Sequence, residues 1–290
     1  MFVSILINGL VSGAVYAILA IGFSLIFGVA KIMNMAHTAF YMLTAFLILG
    51  ATTFLDVPLP LAAIASVIVV GLLGVVCYKL CFDRVKVHET AVMIISVAVA
   101  MLFEETILLT FGGQYQRVPP FVEGYFEIEG VSILNQHFFT AGASILTLIG
   151  VWLLLSKTKL GKAIRAVDQD HEIANVMGID VTKTSMQVMG ISVILAGVAG
   201  AVTAPSIMIN PLMWTNPLVI VLSAVVLGGL GSIKGSAIAA FILGYAETLV
   251  VFLVPDGSFL RGAVSLTAMV LVLLIRPEGL FGVAFEEERL

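Results

Sequence analysis

Charge is scarce in this chain. Of its 290 residues only 11% are Asp, Glu, Lys or Arg while 60% are hydrophobic, and mean hydropathy is +1.15. Apolar runs of this extent expose far more area than a 290-residue globule could hide from water, so lipid must be the solvent. The net charge of −4 carries little information beside the position of each Lys and Arg, and nothing in the chain suits nucleic acid. Cysteine is scarce too. Cys77 and Cys81 lie one helical turn apart with no His or second thiol pair to complete a metal set, and they read as packing residues. A phosphate loop is missing: Gly161-Lys162 is followed by Ala163 and lacks the upstream glycine, so nucleotide is not bound by that mechanism. No motif in the sequence sets two aspartates, or Ser with His, together as the catalytic set an intramembrane enzyme would need.

What is present is a series of charge-poor runs of about 20 residues, the length a helix needs to cross a hydrocarbon core of about 30 Å. They fall near Phe2 to Val29, Ile32 to Phe54, Leu61 to Tyr78, Thr90 to Thr110, Phe138 to Leu155, Thr184 to Ala204, Pro217 to Leu230, Gly235 to Val254 and Phe259 to Ile275. The expected fold is therefore an all-α polytopic membrane protein, a bundle of 8–9 transmembrane helices in a single domain over residues 1–290. Pro217 to Leu230 is short for an upright span and runs into the glycines of LGGLGSIKG, so a full span and a broken or re-entrant helix both remain open there. The first run lacks a basic flank and a small-residue cleavage site and is expected to stay as a span.

Basic residues orient the bundle. Lys79, Arg84 and Lys86, then Lys157, Lys159, Lys162, Arg165 and Lys183, fall on one side together with Lys31, Lys234, Arg276 and Arg289. That side is expected to be the cytoplasm, with the N-terminus outside and the acidic EEER tail inside. Arg117 and Arg261 fall opposite, where the loop from Phe111 to Gln136 carries Glu123, Glu127 and Glu129. Small residues at four-residue spacing, Gly9, Gly13 and Ala17 and again Gly231, Gly235, Ala240 and Gly244, predict close helix contacts within the bundle.

Few polar groups sit at membrane depth. Glu247, about twelve residues into its span, is costly there unless paired, protonated or facing water, and is a candidate for a substrate path or for a hydrogen bond between helices. Asn34 and His37 stand where they would cap a broken helix or line the inner end of such a path. Gly228, Gly229 and Gly231 would let the chain unwind, as discontinuous transporter helices do. Glu104 and Glu105 read as interfacial.

The densest charge lies in a loop over 157–183. Asp168 is a good N-cap, Asp170 and Glu172 put negative charge in a first turn, and Gly178 suits a left-handed C-cap, predicting a short helix from about Gln169 to Met177. Its apolar side of Ile173, Ala174, Val176 and Met177 is too small to bury in its own bundle. A helix lying on headgroups would carry Lys and Arg, and this one is acidic, so it reads as a docking element.

Gly161, Arg165-Ala166, Asp170, Ala174 and Gly178-Ile179 resemble the cytoplasmic coupling motif of ABC importer permeases, in the form found in branched-chain amino acid permeases of the LivH type. The stretches NGLVSGAVYAILAIGFSLIFGVAKIMNMAH, LGGLGSIKGSAIAAFILGYAE and LLIRPEGLFG look like that family in the same order. After Asn34, Ala36 and His37 the family continues with Gly and an acidic residue, where this chain has Thr38 and Ala39, so Ala39 offers no polar contact. The resemblance implies a permease in a bacterial or archaeal inner membrane, without a cofactor of its own. It also implies two cytoplasmic ABC ATPase subunits, a second, LivM-like permease and an external substrate-binding protein. A urea or short-amide permease is the alternative within that class. A secondary transporter fits less well, since it needs no docking helix and would carry coupling carboxylates in several spans.

The charge distribution makes a direct prediction. In a background free of Cys77 and Cys81, Glu123→Cys or Glu129→Cys reacts with an impermeant maleimide added to intact cells, and Asp170→Cys does not. Labelling of position 170 from outside would invert the orientation.

Overall fold

The computed structural model describes residues 2–85, 88–128 and 131–281. The expectations placed on Lys86, Glu129, Arg289 and the EEER tail lie outside the described residues. The helices are α1 (Phe2–Ala30), α2 (His37–Phe54), α3 (Leu59–Cys77), α4 (Glu89–Phe111), α5 (Asn135–Lys157), α6 (Lys159–Gln169), α7 (His171–Val176), α8 (Val181–Thr203), α9 (Thr215–Gly228), α10 (Ile233–Leu253) and α11 (Arg261–Ile275). A π-helical turn at Tyr78–Phe82 extends α3, and 3₁₀ turns occupy Ala204–Ser206 and Gly257–Leu260. Eight helices among the described residues are long and apolar enough to cross a membrane, α11 together with its 3₁₀ turn among them. The ninth, α9, is one unbroken helix of 14 residues.

Small residues decide what packs at the centre. α1 and α8 are the most buried spans and α11 the least. Antiparallel to α1, α10 approaches so closely that a Cβ on Gly244 would strike the backbone of Gly13, while Tyr245 and Phe241 lie over Gly9 and Gly13. Hydrophobicity drives no association between helices in lipid, so this closeness supplies the dispersion contacts instead. α8 packs against α1, α2 and α3, with Val193 over Gly74 and Ile194 over Gly71. The outward faces of α3, α4, α5 and α11 are apolar and exposed, as Ile64, Leu109, Leu146 and Leu274 illustrate. Cys77 and Cys81 are free thiols packed against the core, as expected of packing residues.

At one end of the bundle Phe111 of α4 meets Phe46 and Phe54 of α2. The outer loop there forms an antiparallel hairpin, β1 (Tyr125–Ile128) with β2 (Val131–Leu134), pairing Tyr125 with Leu134 and Phe126 with Ile133. No strand was expected in this loop. Its signal was two four-residue alternating runs around Glu129-Gly130, too short to register beside spans of about 20 residues. A backbone bridge between Gln116 and Ile209 ties this loop to the one following α8.

The opposite end carries Lys31, Lys79, Lys157, Lys159, Lys162, Arg165, Lys183, Lys234 and Arg276, while Arg117 and Arg261 lie at the hairpin end. The second span is corrected by the structure: it does not begin at Ile32. α1 stops at Lys31, whose φ of 54° is left-handed and whose N–H reaches the Phe27 carbonyl. Residues 32–36 then run back into the bundle without helix, and α2 starts at His37, level with Leu19, about three turns of α1 from its end. Such backbone is tolerated at membrane depth only inside protein, and Ile32, Asn34 and Ala36 are all buried.

The α1–α10 contact should dominate stability. Gly244→Val costs about 1–3 kcal/mol through overpacking, whereas Gly150→Val, on open surface, leaves thermal unfolding of the detergent-solubilised protein unchanged.

Candidate functional site

Two sites stand out, a corner of short helices at the basic end and a polar cavity toward the hairpin end. The corner begins where α5 stops. Thr158 caps α6, its hydroxyl accepting the Gly161 N–H at 3.0 Å. Gly161 lies so close to the carbonyls of Leu154 and Leu155 that a Cβ would collide with both. Arg165 turns back and donates Nη1–H to the Leu155 carbonyl, placing a cation on the C-terminus of α5. Ala166 accepts the Asp170 N–H at 3.2 Å, which ends α6. Gly161, Ile164 and Val167 bury the inner face of α6.

The helix boundaries correct the sequence reading. Asp168 is not the cap of the docking helix. It sits within α6, with its carboxylate against Gly28 of α1: a Cβ at Gly28 would lie 2.6 Å from Oδ1. Burial there raises its carboxyl above the ordinary range, while Lys31 and His171 pull it back. The cap is Asp170, whose Oδ1 accepts the N–H groups of Glu172 and Ile173 at 2.8 and 2.9 Å. The misassignment has a local cause: two aspartates two residues apart both suit a cap, and the Thr158 cap and the Arg165 contact carry α6 through Asp168.

Gly178 stands as expected, at φ 83°. The Ile179 N–H reaches the Ala174 carbonyl and the Gly178 N–H that of Asn175, a Schellman closure. Of α7 only Ala174 is buried. Ile173, Val176 and Met177 are 63%, 86% and 76% exposed, an apolar cap on a helix standing off the bundle.

Asn34 and His37 are fully buried, among helices of this chain. The Asn34 Oδ1 accepts the Ala36 N–H at 3.1 Å and its carbonyl accepts the His37 N–H, so Asn34 caps the broken second span. The Leu19 carbonyl lies 3.0 Å from His37 Nε2, which therefore carries the proton; Nδ1 faces the Ser192 hydroxyl at 3.3 Å, and Phe23 packs edge-on. Gly229 and Gly231, at φ 99° and 83°, unwind the chain between α9 and α10 at the basic end of the bundle. There Gly228 packs on the backbone of Gly235, and the N–H groups of Leu280 and Phe281 bond the carbonyls of Leu227 and Gly228. Glu104 accepts the Trp214 indole N–H at 2.8 Å, fixing the start of α9.

Glu247 is buried but borders a cavity of about 180 Å³, with Ser12 and Tyr16 of α1, Thr248 of α10 and Arg261 of α11. Tyr16 donates its hydroxyl to Oε2 at 3.1 Å, and Ser265 donates to Oε1. α10 begins at Ile233, so Glu247 lies less than two turns from its hairpin end, farther from the basic end than its position in the sequence had suggested. Tyr16 and Ser265 were missed in the sequence, since a lone Tyr or Ser in an apolar run gives no signal until another helix presents a carboxylate, and Arg261 was read there only as a basic residue of the outer side. A larger cavity, about 570 Å³, opens at the hairpin end between Arg117, Glu123 and Gln136.

Residues 5–275 match the family described as branched-chain amino acid transport system / permease component. The chain is 28% identical over 292 residues to the high-affinity branched-chain amino acid transport system permease protein BraD of Pseudomonas aeruginosa, covering 96% of this chain and 94% of the relative. It is also 28% identical over 299 residues to a probable branched-chain amino acid transport permease protein LivH of Methanocaldococcus jannaschii, covering 98% and 93%. Among solved structures, PsaBC of Streptococcus pneumoniae in complex with Fab shares the fold, with a TM-score of 0.54 at 16% identity over 94% of this chain and 92% of that one.

The hydrogen bonds at Glu247 carry a stability prediction. Glu247→Ala leaves the buried Ser265 hydroxyl and the partly buried Tyr16 hydroxyl without their acceptor and costs about 1–3 kcal/mol; Glu247→Gln keeps a carbonyl oxygen in place and costs much less, as thermal unfolding in detergent would show.

Proposed function

Since the chain belongs to the permease-component family of branched-chain amino acid transport systems, we propose that it is the membrane-spanning subunit of an ATP-driven importer of branched-chain amino acids. Two cytoplasmic ATPase subunits dock on α7 of this chain and on the equivalent helix of a second permease, and an external binding protein delivers the amino acid. The basic end of the bundle is cytoplasmic and the N-terminus external, in the inner membrane of a bacterium or archaeon.

The observation that carries this reading is the exposed apolar surface of Ile173, Val176 and Met177 on α7. Three exposed apolar side chains on or just after a helix with no Lys or Arg suit a protein groove better than a lipid headgroup. The corner behind it is stiff. Arg165 and Gly161 hold α6 on α5, and Asp168 rests on α1, so a push on α7 reaches the spans as rigid-body motion. Closure of the ATPases would thereby switch the path between inward and outward access. The chain contributes no nucleotide site, and ATP is hydrolysed in the partner subunits. Glu247 lines the path, with Asn34 and His37 holding the broken second span beside it and Gly228, Gly229 and Gly231 setting the turn at its inner end.

Docking is tested at α7. Gly178→Val forces a β-branched residue into the left-handed region, at about 1 kcal/mol or more, and Ile173→Asp puts a charge against the partner's groove. Both variants insert normally but lose co-purification with the ATPases or substrate-stimulated ATP hydrolysis in proteoliposomes. Uptake driven by an ion gradient without ATPases, and unaffected by either change, would sink the assignment.

A further inference from the structure

The cavity beside Glu247 is bordered by an acidic and a basic side chain that make no direct contact with one another among the described residues. The carboxylate of Glu247 and the guanidinium of Arg261 border the same space and feel one another's charge, yet no direct N···O contact joins them among the described residues. The carboxylate is instead oriented by Tyr16 and Ser265, one hydroxyl on each oxygen, which leaves further lone pairs available to a third donor. Arg261 opens α11 at the hairpin end and is itself exposed, so its fork of N–H donors is available from the cavity side. Asn8 and Ser12 add neutral hydrogen-bonding groups on the α1 wall, and Val251 and Phe252 supply an apolar wall from α10. The volume of about 180 Å³ corresponds to roughly six waters at about 30 Å³ each, a space for a small solute rather than for a peptide.

We propose that this cavity is a transient binding subsite for the zwitterionic head of a free amino acid, with Glu247 accepting the ammonium group, Arg261 pairing with the carboxylate, and Val251 and Phe252 flanking the side chain. A ligand carrying both charges on one carbon satisfies both residues at once, whereas an amine, a carboxylic acid or a neutral amide satisfies one at most and leaves the other unpaired. The position fits the task. Glu247 lies less than two turns from the hairpin end of α10, which makes the cavity an early station for solute arriving from that side. The assignment rests on the importer reading and adds to it the chemistry by which the permease itself, apart from any binding protein, distinguishes amino acids from singly charged analogues.

The test uses the permease assembled with its partner subunits in nanodiscs of phosphatidylglycerol, probed by equilibrium binding of radiolabelled L-leucine, isoamylamine (leucine without its carboxylate) and 4-methylpentanoate (leucine without its ammonium). The parent complex is expected to bind leucine at least tenfold more tightly than either analogue. Glu247→Gln should weaken leucine and isoamylamine by tenfold or more and leave 4-methylpentanoate unchanged. Arg261→Gln should weaken leucine and 4-methylpentanoate and leave isoamylamine unchanged. A merely structural role would move all three ligands together, along with thermal stability, and would overturn the subsite, as would undetectable leucine binding by the parent at millimolar concentration. Replacing the lipid with phosphatidylethanolamine tests whether a zwitterionic headgroup is the true occupant: unchanged leucine binding supports the amino-acid site, and displacement overturns it. ATP-driven leucine uptake, measured in parallel with the binding protein present, separates the two levels of the argument. Parent-level uptake in both variants removes the subsite and leaves the importer reading intact, while a parent complex that imports no branched-chain amino acid removes the importer reading itself.

Discussion

A peptide group in hydrocarbon has no water to bond, so every amide of this chain at membrane depth must find its partner within the protein. That constraint explains where the helices are allowed to break. The non-helical segment at 32–36 lies inside the bundle, where Asn34 supplies the side-chain acceptor and the Ser96 hydroxyl takes the Met35 N–H. After α9 the exposed carbonyls of Leu227 and Gly228 are met by the segment that follows α11. Beyond the end of α8 the irregular chain is stitched to the hairpin loop through Gln116 and Ile209. Each break is met in part by a distant stretch of the same chain.

The same need for internal partners holds the corner of α5, α6 and α7 together. A hinge between α5 and α6 would expose the last carbonyls of α5, but Arg165 and the close approach of Gly161 cover them. Further along, Asp170 and Gly178 close both ends of α7, so that a helix of six residues holds its shape without burial. Short helices are marginal by themselves. Here the caps substitute for packing, and most of the apolar surface of α7 stays exposed.

Polar chemistry inside the bundle divides into two kinds. His37, Ser192 and the Leu19 and Gly22 carbonyls form a closed, buried set, with Ser192 donating to the Gly22 carbonyl beside the His37 ring, which ties α1, α2 and α8. Glu247, Tyr16 and Ser265 are also joined, yet their set opens on a cavity that Arg261 shares. Burial without access is a device for holding helices, and burial beside a cavity leaves capacity for a solute. Residue type does not separate the two, because a histidine and a glutamate at similar depth both look costly in a linear sequence.

The spans, the one-sided placement of Lys and Arg, the close contacts of Gly9 and Gly13, and the left-handed Gly178 were all legible in the sequence, because each follows from a local rule: the thickness of hydrocarbon, the side on which basic residues are retained, the size of a side chain, or the freedom of a glycine. Tertiary structure alone decided the rest. Asp170 rather than Asp168 became the cap of α7 because α6 is held on α5 and α1 as far as Gln169. The second span began at His37 because the Leu19 carbonyl and Ser192 await that ring deep in the bundle. Glu247 gained its partners from Tyr16, 231 positions away, and from Ser265. Local rules act over one or two turns of helix, whereas the environment of a buried polar group is set by whichever helices fold against it, and no local pattern in the sequence records that choice.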